Sequence, residues 1–236
     1  MSDLLGLLAY GPTGWGDEIL IGIWLTVRLA LVTLPLGLLI GFLVALAKDS
    51  GEPSLVLAGD IFTTIFRGLP ELLTLFIVYY GGQIVLQQIV AFFTDTYVEI
   101  SGFTAGVVAL GLVFSAFSSE VFLGALRGIP KGQYEGGKAL GLTGFQITRL
   151  VIIPQLFRLA LPGLTNLWLV LLKDTALVSV IALDDLLRKT NIAVGVTKEP
   201  FFFYGVACMI YLVMSMISSA GLSSLERRVN KSGMGH

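Results

Sequence analysis

The sequence predicts an all-α, polytopic membrane protein with about five transmembrane helices, on three observations. Only 13% of its residues are charged and 55% are hydrophobic, whereas a water-facing domain carries about a quarter charged residues. The mean hydropathy is +0.87. Apolar runs of roughly 20 residues recur along the chain, the length needed to cross a hydrocarbon layer about 30 Å thick.

Residues 1–18 hold a short apolar patch, "LLGLLAY", with no basic residue ahead of it. A cleaved signal peptide needs that basic region. This part is therefore expected to lie at the external interface, with Tyr10 and Trp15 at headgroup level. Residues 19–222 form the membrane domain, with spans near Ile19–Ala47, Leu69–Phe92, Phe103–Leu126, Leu156–Leu172 and Phe201–Leu222. Residues 223–236 are a polar tail. The piece "TALVSVIAL", Thr175 to Leu183, is too short to cross alone. It is either a re-entrant turn or a continuation of the fourth span across a bend.

Lys and Arg set the orientation. No Lys or Arg falls between Gly68 and Leu126, so the connection after the second span reads as external. Arg127, Lys131, Lys138, Arg149 and Arg158 cluster between the third and fourth spans, and Arg227, Arg228 and Lys231 lie in the tail. Both regions read as cytoplasmic, which puts the N-terminus outside and the C-terminus inside. Arg188, Lys189 and Lys198 run against this pattern, accompanied by Asp184, Asp185 and Glu199.

Several function classes are excluded early. A net charge of -1 offers nothing to nucleic acid. A single cysteine, Cys208, allows no internal disulfide, and its apolar run suggests a buried, inert thiol. The one histidine is His236, so no His-based metal site can be assembled. Gly37 and Gly41 form a GxxxG pair that lets helix backbones approach closely, although 28 glycines make chance pairs common. Pro35 and Pro162 are expected to bend their helices.

The segment 130–154 is polar, basic and glycine-rich between two apolar runs. Pro130 can start a helix, and Pro154 marks the start of the next span. One or two short helices along the membrane face are expected, with no catalytic set on them. "GQYEGGKA" fits GxxxxGK but has Ala139 where Mg²⁺ needs Ser or Thr, and no strand precedes it. "VSVIALDD" mimics a strand and acid, but sits across the membrane from Lys138. The chain is therefore not expected to be an ATPase.

Charges inside the spans cost roughly 2.5–3.5 kcal/mol at a helix centre, so they face protein or water. Glu71, Glu120 and Asp174 either pair within the structure or line a path and meet a cationic group on a cargo. Arg28 and Arg67 are expected to snorkel toward opposite faces. Tyr79-Tyr80-Gly81-Gly82 and Trp168 are candidates for stacking on a cargo, with core packing or interface anchoring as the alternative.

"EGGKALGLTGFQITRLVIIPQ" resembles the cytoplasmic signature of ABC importer permeases: Glu-Ala-Ala, three residues, Gly, nine residues, Ile-x-Leu-Pro. Glu135, Gly141, Val151, Ile153 and Pro154 take the Glu, Gly, Ile, Leu and Pro positions at matching spacing, with Gly136 and Gly137 replacing the alanines. "FRGLPELLTLFIVYYG", "FSSEVFLGALRGIPKGQYE" and "LPGLTNLWLVLLKDTALVSVI" resemble the polar amino-acid branch, nearest to permeases for histidine, basic amino acids and opines such as octopine or nopaline.

The resemblance implies a type I importer permease fold with no cofactor in this chain. ATP and Mg would sit on two separate ATP-binding cassette subunits. A second permease subunit, identical or homologous, would complete the pore, and a periplasmic binding protein would deliver the cargo. The location implied is the bacterial inner membrane. Glu135, Gly136, Gly137, Lys138, Ala139, Gly141 and Pro154 would couple to the ATPase. Each Gly in place of Ala costs a helix interior about 1 kcal/mol, so the coupling helix is expected to be marginal, unless the glycines serve close approach. An ion-gradient-driven transporter or channel subunit is the rival reading.

Overall fold

In lipid every backbone polar group must be satisfied within the chain, which leaves helices for a sequence of this pattern. The computed structural model describes residues 4, 6–11, 14–94, 96–181 and 183–231, and no strand occurs among them. His236 and the end of the tail lie outside the described residues.

Among the described residues, eight helical elements follow one another from Gly16 onward. Helix α1 spans Gly16–Asp49. Asp17 and Glu18 stand at its start and Lys48 at its end, a charge order that suits the helix dipole. Helix α2, Pro53–Gly68, opens with a proline in its first turn, where no donor is lost. It stops because Leu69 precedes Pro70 and is held extended at φ -91 and ψ 143. Helix α3, Glu71–Ala91, widens into a π turn at Ile77–Gly81. Helix α4, Gly102–Arg127, is capped by Ser101, whose Oγ accepts from Thr104 N at 3.1 Å.

Helix α5 is the short Lys131–Ala139. Helix α6 runs over Gly144–Ile181 and includes a π turn at Thr148–Ile152 and a final 3-10 stretch at Thr175–Ile181. Helix α7 is Leu186–Thr197 and α8 is Pro200–Lys231. Five helices (α1, α3, α4, α6 and α8) are long and apolar enough to span a membrane.

Helix α4 is the centre, buried over most of its length. It runs parallel to α1: Leu29 packs near Gly106, Gly37 near Gly111 and Phe114, and Gly41 near Ser115 and Ser118, while Asp49 pairs with Arg127 at 3.7 Å. Ser118 Oγ donates to the Gly37 carbonyl at 3.3 Å, across the interface. The GxxxG pair thus joins two helices of the same chain. The opposite side of α1 leaves Ile21, Trp24, Leu31, Leu39 and Leu43 exposed.

Three sequence expectations change. Helix α2 was not anticipated as an element, because Asp60 and Arg67 interrupt its apolar pattern. The fourth helix is longer than Leu156–Leu172: it starts at Gly144 and continues through the 3-10 stretch, so Thr175–Ile181 extends the span rather than turning back. Cys208 is exposed, because it sits on the outward face of α8. An apolar run records contact with lipid as readily as burial in protein.

Of the basic residues in the α6–α8 connection, Lys189 is locally balanced. Lys189 Nζ lies 2.7 Å from Glu18 and 3.2 Å from Asp184, and the bond from Glu18 leads the effects that hold its pKa above the ordinary lysine value. Asp185 is fully buried and caps α7, accepting from Arg188 N at 2.9 Å and Leu187 N at 3.2 Å. Burial pushes its carboxyl up to about 6 against the pull of those bonds, with Asp184 adding repulsion.

Two predictions follow from this packing. Gly41→Val drives a side chain against Ser118 and the Ser115 carbonyl, and is expected to cost about 1–3 kcal/mol. Gly124→Ala, at a position with open space around it, is expected to be neutral; thermal unfolding in detergent compares the two. Asp185 binds its proton more tightly folded than unfolded, so its contribution is full below about pH 4 and is lost as pH rises through 6. Asp185→Asn keeps the cap acceptor and should flatten the stability profile between pH 4 and 6, while Asp185→Ala should lower stability throughout.

Candidate functional site: the Glu135 segment and the Glu71–Asp174 cavity

Two features are candidates for function, at opposite ends of α6. The first is the segment from Pro130 to Pro154, beyond the α4 end that meets Asp49. Helix α5 ends in a Schellman motif: Leu142 N donates to Gly137 O at 3.1 Å and Gly141 N to Lys138 O at 2.9 Å. That closure requires a left-handed residue, and Gly141 supplies it at φ +75. Two residues on, Thr143 and Gln146 form a capping box, with Gln146 Oε1 accepting from Thr143 N at 2.8 Å. The segment is a helix, a closed turn and a second capped helix.

Glu135, Gly136, Lys138 and Ala139 are exposed, and Gly137 alone on α5 is buried. A Cβ at Gly137 would stand 2.8 Å from Cγ1 of Ile147, itself buried, whereas one at Gly136 would meet nothing within 4 Å. The two glycines therefore differ in kind. Gly137 permits close packing of α5 on α6, and only Gly136 is a pure helix cost. Gln155 Nε2 ties the pair together by donating to Gln133 Oε1 at 3.1 Å. Below them Phe122, Leu123, Ile129, Ile152, Leu156 and Ala160 form a buried cluster.

Pro154 stands in the first turn of the α-helical stretch Ile153–Asp174, as the sequence indicates, although α6 as a whole begins earlier, at Gly144. Helix α6 runs through it, and the missing N–H and ring clash fall on the turn before. That turn, Thr148–Ile152, is the one widened to π geometry. Large apolar side chains stand exposed around the segment: Leu140, Phe145 and Leu150. Sequence reasoning passed over these three. Their signal was an apolar residue in a polar stretch on either side of Gly141.

The P-loop resemblance is void, since "GQYEGGKA" lies within α5 and its N–H groups serve the helix. Asp185 is an N-cap and Asp184 pairs with Lys189.

The second feature is a cavity of about 270 Å³ among α3, α4 and α6. Glu71 and Asp174 both line it, with Phe114 and Phe117 from α4 and Asn166 from α6. The two carboxylates are within electrostatic range of each other. Glu120 is not in this lining. Its Oε1 lies 2.6 Å from Lys48 Nζ and 3.7 Å from Arg67, and Lys48 also reaches Asp60 at 2.9 Å and donates to Thr63 at 3.1 Å. Of the three intramembrane acids, two converge and one is paired.

The arginines do more than snorkel. Arg28 stacks on Phe103 at 5.0 Å and Arg67 on Phe117 at 5.5 Å. Trp168 and Tyr79 pack against the central core, and neither lines the cavity.

Residues 34–231 match the family described as binding-protein-dependent transport system inner membrane component. The chain belongs to that family. It is 40% identical to the nopaline transport system permease protein NocQ of Agrobacterium fabrum over 229 residues, 96% of this chain and 97% of that one. It is also 40% identical to the arginine ABC transporter permease protein ArtQ of Haemophilus influenzae, covering 88% and 91% of the two chains. With the histidine/lysine/arginine/ornithine permease protein HisQ of Salmonella typhimurium it shares 39% identity, over 91% and 94%.

Among solved structures, an amino acid ABC transporter crystallised with histidines superposes at a TM-score of 0.78 and 34% identity, over 91% and 95% of the chains. The MetNI methionine transporter shares the fold at 0.72 and 20% identity, over 89% and 95%. This permease is thus a multi-pass integral membrane subunit of the type I ABC importer family, and the ion-gradient alternative is set aside.

The permease's two glycines give opposite expectations. Gly136→Ala should raise stability by about 0.5–1 kcal/mol. Gly137→Ala should lower it by about 1–3 kcal/mol through displacement of Ile147. Denaturation of the purified permease in detergent reads both.

Proposed function

We propose that this permease forms half of the translocation path of a bacterial inner-membrane importer for amino acids or opines bearing a cationic group. In this reading residues 1–18 face the periplasm, where a binding protein delivers cargo, and the tail faces the cytoplasm. A second permease subunit, identical or homologous, completes the pore, because five spans are too few to enclose one alone. The concentration of Lys and Arg between the third and fourth spans supports this orientation, and the parallel run of α1 and α4 agrees with it.

The observation that carries the cargo assignment is the convergence of Glu71 and Asp174 on one cavity. Two carboxylates in a poorly solvated space repel each other unless a cation joins them, and a guanidinium or ammonium group does so with directed hydrogen bonds. Asn166 adds a neutral donor and acceptor, and Phe114 and Phe117 offer faces to the apolar stem. The volume lies near the lower end of ligand cavities, about 300–1,000 Å³, the scale of one small solute.

ATP and Mg belong in this scheme to two ATP-binding cassette subunits. Glu135, Gly136, Lys138 and Ala139 with Leu140 and Phe145 present the surface that one of them grips, while Gly137, Gly141 and Pro154 shape it.

The test is uptake by the reconstituted transporter complex. Glu71→Gln and Asp174→Asn are each expected to lower arginine uptake at least tenfold while sparing assembly with the ATPase. Unchanged arginine selectivity in both variants would overturn the cargo assignment.

A further inference from the structure

The charge cluster beside the cavity has a second role. Lys48 is the fixed member: its side chain is 8% exposed and its ammonium lies within 3 Å of both Asp60 and Glu120. Arg67 is the loose one. Its side chain is 44% exposed and reaches Glu120 only at 3.7 Å, a separation and exposure at which an ion pair is weak. Its guanidinium instead lies over the ring of Phe117, and Phe117 is the last of the four α4 cavity residues in chain order before Arg127. Arg67 also lies in the last turn of α2, just before the break at Leu69–Pro70, and Gly68 beside it has open space. Four residues on, across that break, Glu71 lines the same cavity.

We propose that Arg67, stacked on Phe117 and held by Glu120, is the gate at the end of the Glu71–Asp174 cavity nearest the Glu135 segment. This rests on reading that cavity as the translocation path. Lys48 keeps Glu120 in place whether or not Arg67 is there, so the arginine can leave without stranding a carboxylate. The helix break gives it a pivot. A cation at this point also bars a cationic cargo until it moves aside, so release toward the Glu135 side requires the guanidinium to swing off the ring. Glu120, paired rather than cargo-lining, is the counter-charge that draws it back.

The experiment uses the full transporter complex in proteoliposomes, with Cys208→Ser and a reporter thiol introduced by Val113→Cys in the cavity wall. A charged, membrane-impermeant maleimide is applied from one face at a time, without nucleotide. Arg67→Gln is expected to speed labelling from the Glu135-segment face about five- to tenfold, with the rate from the other face unchanged. Glu120→Gln, which keeps the volume and removes the counter-charge, should act the same way. Arg67→Lys should give a smaller rise, since an ammonium keeps the attraction but not the flat stack on Phe117. Equal rates with and without Arg67 would overturn the gate, and so would acceleration from both faces together, which marks a loosened bundle. A thiol at position 113 that stays unreactive from both faces in every nucleotide state would overturn the path reading itself.

Discussion

The near contact of α1 with α4 governs the rest of the molecule. At Gly37 and Gly41 the two backbones approach within reach of a serine hydroxyl, and without a hydrophobic drive between helices in lipid, such dispersion contacts and short polar bonds supply the association. Fixing α4 in this way fixes what its other faces present. One offers Leu110, Val113, Phe114 and Phe117 to the cavity. Another buries Phe122, Leu123 and Ala125 under the Glu135 segment. Its last turn meets Asp49 and feeds directly into α5. A substitution that separates the two helices therefore disturbs the path, the charge cluster and the coupling surface together.

The charge cluster shows how a greasy chain keeps ions within its spans. Burying a lone charge is prohibitive, and a buried pair repays its desolvation only with good geometry and further bonds. Lys48 meets that demand with two carboxylates and the Thr63 hydroxyl, and together they join α1, α2 and α4. Glu71 and Asp174 are not arranged so: like charges face one cavity. One cluster is complete in itself, whereas in the other Lys173 is within electrostatic range of Asp174 but does not line the cavity. That contrast, rather than depth in the membrane, is what singles out Glu71 and Asp174 for the proposed cargo role and Glu120 for a structural one.

Much of this was legible in the sequence because it is local. The spacing from Glu135 to Gly141 and on to Pro154 is readable since a Schellman closure, a capping box and a proline each act over a few residues. The five spans are readable from run length alone. What was missed is long-range or two-sided. Glu120 cannot be told from Glu71 or Asp174 without knowing that Lys48, 72 residues away, reaches it. Cys208 looked buried because hydropathy is blind to whether protein or lipid covers a face. Helix α2 escaped notice because Asp60 and Arg67 break its pattern, and they do so because their partners lie on other helices or rings. That α6 begins before Pro154 was hidden because the π turn joining its two parts leaves no mark in the sequence.

Helix α6 bears on how motion at the surface reaches the cargo acids. From Pro154 to Asp174 it is continuous α-helix, about 30 Å at 1.5 Å per residue. The same rod carries Gln155 against α5, Asn166 and Asp174 in the cavity, and then the 3-10 stretch toward α7. Coupling between distant sites travels through contiguous rigid elements, and here a single element touches both. The π turn before Pro154 is the one irregularity between the Glu135 segment and the rod. In the proposed scheme a push on α5 is delivered as tilt or rotation of α6 about that turn, which shifts Asp174 relative to Glu71 on α3. In the same proposed scheme that movement draws apart the two carboxylates which hold the cation, and so releases it.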